Sequence, residues 1–200
     1  MSVRVLTICG SLQQASSNRA VIDVATAALQ DSGVEVDDYL DLGAVPPFSP
    51  EADPGPVLTN LRSRIAAADA VLIAAPEYAG GLAGVIKNTL DWIVGSGELY
   101  LKPVGVMSSG TTGGHHARQQ LIQTLTWQGA HVVTQLGISF PKTKSSPDGR
   151  LTDPDTIASI EHLAMTLAQA PSMPPGERLA AVGGVVESFG IDADHIAGLI

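Results

Sequence analysis

Five short runs of apolar residues, separated by helical patterns, constrain the fold of this chain more than any other feature. The runs cover residues 3–9, 34–40, 70–75, 103–107 and 131–136. Strands that are apolar along their length are typical of a parallel sheet covered on both faces. The sequence therefore predicts an α/β fold, a three-layer, doubly wound parallel sheet of five strands. Right-handed crossovers make 2-1-3-4-5 the most economical strand order at this size.

Helical spacing of apolar residues between and after these runs predicts five helices. The helical patterns cover residues 20–29, 58–68, 82–93, 117–125 and 157–167. Gly33 suits the position just past the first helix, and the pair Asp153 and Pro154 suits the start of the last one. The prolines between residues 46 and 56 exclude regular structure in that segment.

Charge and composition exclude several classes of protein. Eleven basic and 20 acidic residues give a net charge of −9, which opposes binding to nucleic acid or to an anionic membrane. Cys9 is the only cysteine, so we expect a small core residue, with no intrachain disulfide and no cysteine-based zinc site. No stretch reaches the roughly 18 apolar residues of a membrane span. The first residues lack an export signal, and we expect a cytoplasmic protein.

The sequence pattern changes at residue 171. Three prolines and a glycine fall within residues 171–176, and a short helical pattern interrupted by Gly190 follows. We therefore divide the chain into a domain of residues 1–170 and an extension of residues 171–200, which is predicted to form one or two small helices.

Ligands of doubly wound sheets lie beyond the carboxyl ends of the strands, so the loops there are the candidates for chemistry. The first loop, residues 10–18, is rich in hydroxyl groups and leads directly into a helix. A helix N-terminus with free N–H groups suits a phosphate. The alternative is that Ser17 or Asn18 only caps the helix. The loop contains neither the G-x-G-x-x-G pattern of dinucleotide-binding folds nor a Gly-Lys-Ser/Thr phosphate loop.

The loops after the third and fourth strands are rich in glycine. Within residues 76–84, three glycines allow the backbone to approach a flat ligand, and Tyr78 offers an aromatic wall. Glu77 is either a general acid or base or, more commonly for a turn, a hydrogen-bonding residue. The third loop ends in His115 and His116, which would diverge by about 100° on a helix, so we expect no metal site there.

Two motifs in these loops resemble the NADPH-dependent FMN reductase family of flavodoxin-like proteins. The pattern G-S-x-R-x-x-S-x-N is matched by Gly10, Ser11, Ser16 and Asn18. The more specific pattern P-E-Y-N-x-x-x-P-x-x-L-K-N-x-x-D-W is matched by Pro76, Glu77, Tyr78, Lys87, Asn88, Asp91 and Trp92. The resemblance covers about residues 3–170. Gln13, Ala79 and Ala83 depart from it, since they replace an arginine, an asparagine and a proline.

The resemblance implies a flavodoxin-like fold that binds FMN as cofactor and uses NAD(P)H as co-substrate. Hydride would pass through FMN to a small acceptor such as free flavin or a quinone. In this scheme the first loop holds the FMN phosphate, the second lines the isoalloxazine and the third closes its other side. The implied cofactor-binding residues are Ser11, Gln13, Ser16, Ser17, Asn18, Pro76, Glu77, Tyr78, Ala79, Gly80, Ser109, Gly110, Gly113 and Gly114.

Further expectations follow from the same resemblance. His115 or His116 would lie near the nicotinamide or the acceptor, and the missing arginine of the first loop would weaken FMN binding unless Arg19 compensates. A homodimer or homotetramer would form through the helix that carries Lys87, Asp91 and Trp92, with ordinary helix packing as the alternative. Residues 1–22 and 99–147, which contain bases and no carboxylate, would lie near the flavin phosphate and a dinucleotide phosphate. The alternative function is a flavodoxin-like electron carrier without a nicotinamide site.

Overall fold

A five-stranded parallel sheet forms the centre of the computed structural model, which describes residues 2–191. Its strands are β1 (Arg4–Cys9), β2 (Glu35–Tyr39), β3 (Ala70–Ala74), β6 (Pro103–Gly110) and β7 (His131–Ser139). The spatial order β2-β1-β3-β6-β7 confirms the predicted order, because β6 and β7 are the fourth and fifth strands of this sheet. A small antiparallel hairpin, β4 (Glu77–Tyr78) and β5 (Gly81–Leu82), lies between β3 and the next helix.

Helices cover both faces of the sheet. They are α1 (Ser17–Asp31), α2 (Gly55–Ala67), α3 (Gly84–Ile93), α4 (His115–Trp127), α5 (Pro154–Gln169) and α6 (Pro175–Ser188). The helices α1 and α5 pack against each other, while α2 and α3 meet beside β1 and β3. As predicted, Gly33 adopts a positive φ just after α1, and Asp153 caps α5 ahead of Pro154.

Burial of the strands follows their place in the sheet. The central strand β3 is buried along its whole length, and β1 is buried from its second residue onward. The edge strand β2 is only half-buried and carries Asp37 and Asp38. Asp37 pairs with Arg4 and Arg64, and Arg64 holds the pKa of the Asp37 carboxyl below its usual range despite its partial burial. The expectation of strands that are apolar throughout therefore holds for β1 and β3 and fails for this edge strand.

The C-terminal extension packs on the other edge of the sheet. Helix α6 lies against β7 and buries Val182 and Val186 completely. It covers an edge that would otherwise offer unpaired backbone groups to other chains. The second small helix that we predicted after Gly190 lies outside the described residues, and the division of the chain at residue 170 stays a prediction. Among residues 2–191, no helix is long and apolar enough to cross a membrane.

Candidate functional site

The three candidate loops meet at the carboxyl edge of the sheet, and Asn18 joins two of them. The Asn18 side chain donates from Nδ2 to the Ser109 carbonyl oxygen (3.0 Å) and accepts at Oδ1 from the Ser109 N–H (2.9 Å). The Ser17 hydroxyl donates to the same carbonyl at 3.1 Å. Asn18 is buried, so this reciprocal pair links the first loop to the third without competition from water.

The first loop ends in a capped helix and leaves backbone donors free. Ser16 is the N-cap of α1, because its backbone is extended and its hydroxyl accepts from the Asn18 N–H, whereas Ser17 already lies in the helix. The alternative role of Ser17 or Asn18 as the cap therefore falls to Ser16, one or two residues earlier. The N–H groups of Gln14 and Ala15 donate to no other residue in the described part of the chain. Free donors at a helix N-terminus suit an anion.

Arg19, which could compensate for the missing arginine of the first loop, is engaged by two carboxylates. Its guanidinium donates to Asp23 at 2.7 Å and pairs with Asp38 at 2.8 Å. Gln13 is exposed at the position where the family motif has arginine. Cys9 is buried, and this burial raises the pKa of its thiol, which fits the predicted core residue.

The third loop is shaped by two glycines and contains unpartnered hydroxyl groups. Gly113 and Gly114 both have positive φ, and a Cβ at Gly114 would overlap the Ser108 hydroxyl. The Oγ atoms of Ser108 and Ser109 are buried and form no hydrogen bond within residues 2–191. A buried hydroxyl without a partner is unfavourable, so these two groups are unsatisfied by the residues that the structure describes.

Glu77 connects the second loop to α4. Its Oε2 accepts from the N–H groups of His116 (2.8 Å) and Ala117 (3.1 Å), and Oε1 accepts from the Thr112 hydroxyl. Burial would raise the pKa of this carboxyl, but the hydrogen bonds from the backbone of Ala117 and His116 lower it overall. The geometry therefore favours the hydrogen-bonding alternative, in which Glu77 stays ionised at the positive end of a helix.

The β4–β5 hairpin presents the rest of the second loop. Pro76 is buried before the hairpin, while Tyr78 is half exposed at its tip. Ala79 and Gly80 form the turn with positive φ values of 52° and 70°. This conformation costs alanine roughly 1 kcal/mol or more, and asparagine, which the family motif has there, tolerates it better. The sequence pattern did not predict this hairpin.

The second motif continues into α3, where two of its residues hold the proline-rich segment after β2. Asn88 donates to the Pro46 carbonyl at 2.9 Å and accepts from the Phe48 N–H at 2.7 Å. Trp92 is buried, donates to the Pro46 carbonyl and packs edge-to-face with Phe48. For Trp92 the structure thus favours helix packing over an interface role. Lys87 and Asp91 form an ion pair on the outer face of α3.

Two residues that the sequence patterns did not single out lie behind the third loop. The Arg118 side chain donates to the Gly113 carbonyl and to Gln135, and its guanidinium lies 5.4 Å from the centroid of the Phe189 ring. The ring of His115 also contacts Phe189: the two rings stack, with their centroids 5.2 Å apart. Burial lowers the pKa of Arg118. Phe189 follows α6, so the C-terminal extension contacts the start of α4.

Metal ligands are not clustered in this region. No group of three or more His, Cys, Asp or Glu side chains in residues 2–191 could hold a metal ion.

Comparison with known proteins identifies the family. A family model described as NADPH-dependent FMN reductase matches residues 3–144, which is more than half of the chain. The chain belongs to this family. It is accordingly an NAD(P)H-dependent flavoenzyme with FMN as cofactor and NAD(P)H as co-substrate.

Individual relatives agree with this membership. An NAD(P)H-dependent FMN reductase of Pseudomonas aeruginosa is 31% identical over 160 residues, covering 76% of this chain and 85% of its own. An NAD(P)H:quinone oxidoreductase of Solanum tuberosum is 28% identical over 177 residues, covering 82% of this chain and 91% of its own. Among solved structures, FerB, a flavoenzyme NAD(P)H:(acceptor) oxidoreductase of Paracoccus denitrificans, matches with a TM-score of 0.72 and 25% identity. This match covers 85% of this chain and 97% of FerB.

The residues present fit FMN. A phosphate can accept from the free N–H groups of Gln14 and Ala15 just before α1, and the unsatisfied Ser109 hydroxyl lies on the third loop, where it could donate to a flavin. Residues 1–22 themselves contain no carboxylate, and the nearby Asp23 is paired with Arg19. Which of the fourteen predicted residues touch FMN stays a prediction.

Proposed function

We propose that this protein oxidises NAD(P)H and reduces a small electrophilic acceptor, a quinone or free flavin, at the edge of the sheet where the three loops meet. The observation that carries the proposal is the Asn18–Ser109 pair, which links two loops while free N–H groups and hydroxyls remain beside it. When bound, FMN supplies the hydride-transfer chemistry.

The chain's own residues have binding and positioning roles in this proposal. Ser11, Gln13, Ser16 and Ser17 surround the phosphate with hydroxyls and backbone donors. The second loop, from Pro76 to Gly80, lines one side of the ring, and the third loop, from Ser109 to Gly114, lines the other. Asn18 and Glu77 hold these loops in place, because their polar atoms already bond to backbone groups of the third loop and of α4.

The acceptor class is inferred from relatives and from the shape of the site. Several relatives are named quinone oxidoreductases, among them one from Arabidopsis thaliana that is 25% identical over 177 residues. Half-exposed Tyr78 beside the glycines of the second loop offers a planar surface for such an acceptor. His115, which stacks on Phe189, and the neighbouring His116 are the proposed residues nearest the nicotinamide or acceptor.

We also propose that the protein forms a homodimer or homotetramer. Four exposed apolar side chains lie on segments that hydrogen-bond to each other at the ends of α3 and α4. They are Val94, Tyr100, Leu101 and Trp127, with exposed fractions between 39% and 62%. Exposed apolar residues gathered in one region often mark a contact between subunits. We call this set the apolar patch.

Two measurements on the purified protein test the proposed activity. First, its visible absorbance should have the two bands of oxidised flavin, and these bands should bleach when NADH or NADPH is added without oxygen. Second, nicotinamide oxidation should depend on added quinone or FMN. A protein that binds FMN and oxidises neither NADH nor NADPH with any acceptor would instead be an electron carrier.

A further inference from the structure

A groove leads away from the first loop along the outer side of α1. Its volume is about 1050 Å³. One end is formed by residues 13–17, the floor by α1 residues from Arg19 to Ala27, and the far wall by residues 141–151. This volume is far larger than a single phosphate needs and is at the upper end of the range for small-molecule sites.

The far wall carries most of the positive charge that has no carboxylate partner within residues 2–191. Of the eleven Lys and Arg residues, five form ion pairs with carboxylates, and the half-buried Lys102 and Arg118 donate to backbone carbonyls. The five are Arg4, Arg19, Arg62, Arg64 and Lys87. Within residues 2–191 this leaves Lys142, Lys144, Arg150 and Arg178 without a carboxylate partner. Three of these four lie on one nine-residue segment of an acidic protein.

The carboxylates of the groove are already engaged. Asp23, on the floor, accepts from Arg19 at 2.7 Å. Asp148, on the far wall, accepts from the Ser146 hydroxyl and from the Arg150 N–H, so it closes a turn within its own segment. These neutral donors leave the Asp148 charge in place near Arg150, whereas Lys142 forms no ion pair within residues 2–191. The groove lining holds three cations, Arg19, Lys142 and Arg150, against the two carboxylates.

The cationic segment is a preformed hairpin. Ser145 and Leu151 form an antiparallel bridge, and the Ser146 N–H donates to the Arg150 carbonyl at 2.9 Å. Gly149 completes the turn with a positive φ of 85°. A hairpin closed in this way places its side chains with little loss of entropy on binding, which favours affinity.

We propose that this groove binds the adenosine half of NADPH, with Lys142 and Arg150 contacting the 2′-phosphate. The inference rests on the function proposed above and selects NADPH over NADH as co-substrate. The groove starts at the loop assigned to the FMN phosphate, so a dinucleotide in it would extend from the flavin site. Its volume exceeds what a phosphate group alone needs.

The direct test uses a fragment of NADPH that cannot react. Calorimetry on the FMN-loaded protein compares adenosine 2′,5′-bisphosphate with adenosine 5′-monophosphate, which differ only in the 2′-phosphate. The wild type should bind the bisphosphate more tightly, and Lys142→Gln with Arg150→Gln should weaken that binding by about tenfold or more. Lys142→Arg should retain it. The matched control is Arg178→Gln, which removes the fourth unpaired cation from α6 outside the groove and should change nothing.

Each other outcome has a defined meaning. Equal affinity of the wild type for the two nucleotides, or no loss in the double variant, would overturn the proposal. A loss of FMN affinity in the double variant, with bisphosphate binding retained, would also overturn it and assign the cations to the flavin phosphate. Steady-state kinetics separates the two proposals. The double variant should lower the NADPH-to-NADH ratio of kcat/KM, whereas wild type that binds the bisphosphate but oxidises no nicotinamide contradicts only the proposed function.

Discussion

A single side-chain amide sets the spacing of the first and third loops. Asn18 uses both its donor and its acceptor on Ser109 in a buried position. Asn18→Asp would place a carboxylate oxygen against the Ser109 carbonyl, where the amide donates now. We expect this change to lower the free energy of unfolding by about 2 kcal/mol, because a buried acceptor loses its donor. We also expect it to weaken FMN binding by about tenfold. Chemical denaturation and a fluorescence titration with FMN measure the two effects.

Asn88 provides a matched control for this substitution. It makes the same reciprocal contact with backbone groups, but to Pro46 and Phe48 and at a less buried position. Asn88→Asp should therefore destabilise the protein while leaving FMN affinity close to that of the wild type. If Asn18→Asp binds FMN as tightly as the wild type does, Asn18 does not position the site.

The lowered pKa of Glu77 predicts that its contribution to stability depends on pH. Its folded-state pKa is lowered, so its contribution to stability is present above the ordinary glutamate pKa and is lost as pH falls through the folded value. Glu77→Gln should cost about 1 kcal/mol at neutral pH, as expected for a lost helix cap. The difference between variant and wild type should begin to shrink as pH falls below the ordinary glutamate pKa, where the unfolded chain takes up a proton, and should be lost below the lowered folded-state pKa. Urea denaturation at several pH values measures this, and a gap that stays constant with pH would refute the assigned role.

Helices and strands differ in how much of them the sequence predicts. The buried strands β1 and β3 and the capped helix α5 were predicted to within about one to three residues, because burial and capping leave local patterns. The last residues of β6 and β7 were missed, since Ser108, Ser109 and Gly137 are not apolar. The β4–β5 hairpin was missed because two-residue strands have no periodicity. The loops of the site follow from strand order, whereas the Asn18–Ser109 pair depends on packing between residues 91 positions apart.

The contact between the end of helix α6 and the start of α4 can be tested by substitution. Phe189, at its end, contacts His115 and Arg118 behind the third loop. Phe189→Ala should lower the free energy of unfolding by about 3 kcal/mol and should also weaken FMN binding, because Arg118 holds the Gly113 carbonyl. Val186→Ala, which truncates a buried side chain on the same helix, should destabilise without this effect on FMN. Equal FMN affinities in the two variants would show that α6 only covers the sheet edge.

At the scale of the whole molecule, charge and apolar surface are separated. The acidic excess lies outside residues 1–22 and 99–147, so the net charge of −9 coexists with a cationic groove beside the first loop. The apolar patch lies elsewhere, at the ends of α3 and α4. Because a like-charged protein repels its own copies, association needs a surface where apolar contact outweighs that repulsion. The patch is the candidate, and the groove stays open to a nucleotide.

This arrangement predicts that one substitution in the apolar patch separates the subunits. Trp127 is 62% exposed, and Trp127→Glu would place a charge in the proposed contact between copies. Light scattering after gel filtration should give a dimer or tetramer for the wild type and a monomer for the variant. Leu40→Glu is the control, since Leu40 is 75% exposed just after the edge strand β2 and far from the patch in the strand order. It should keep the wild-type mass.

A wild type that is monomeric at every concentration, or a Trp127→Glu variant that keeps the oligomeric mass, would show that the apolar patch is not the contact between subunits. Loss of FMN from a folded monomeric variant would show in addition that each flavin site needs a neighbouring subunit.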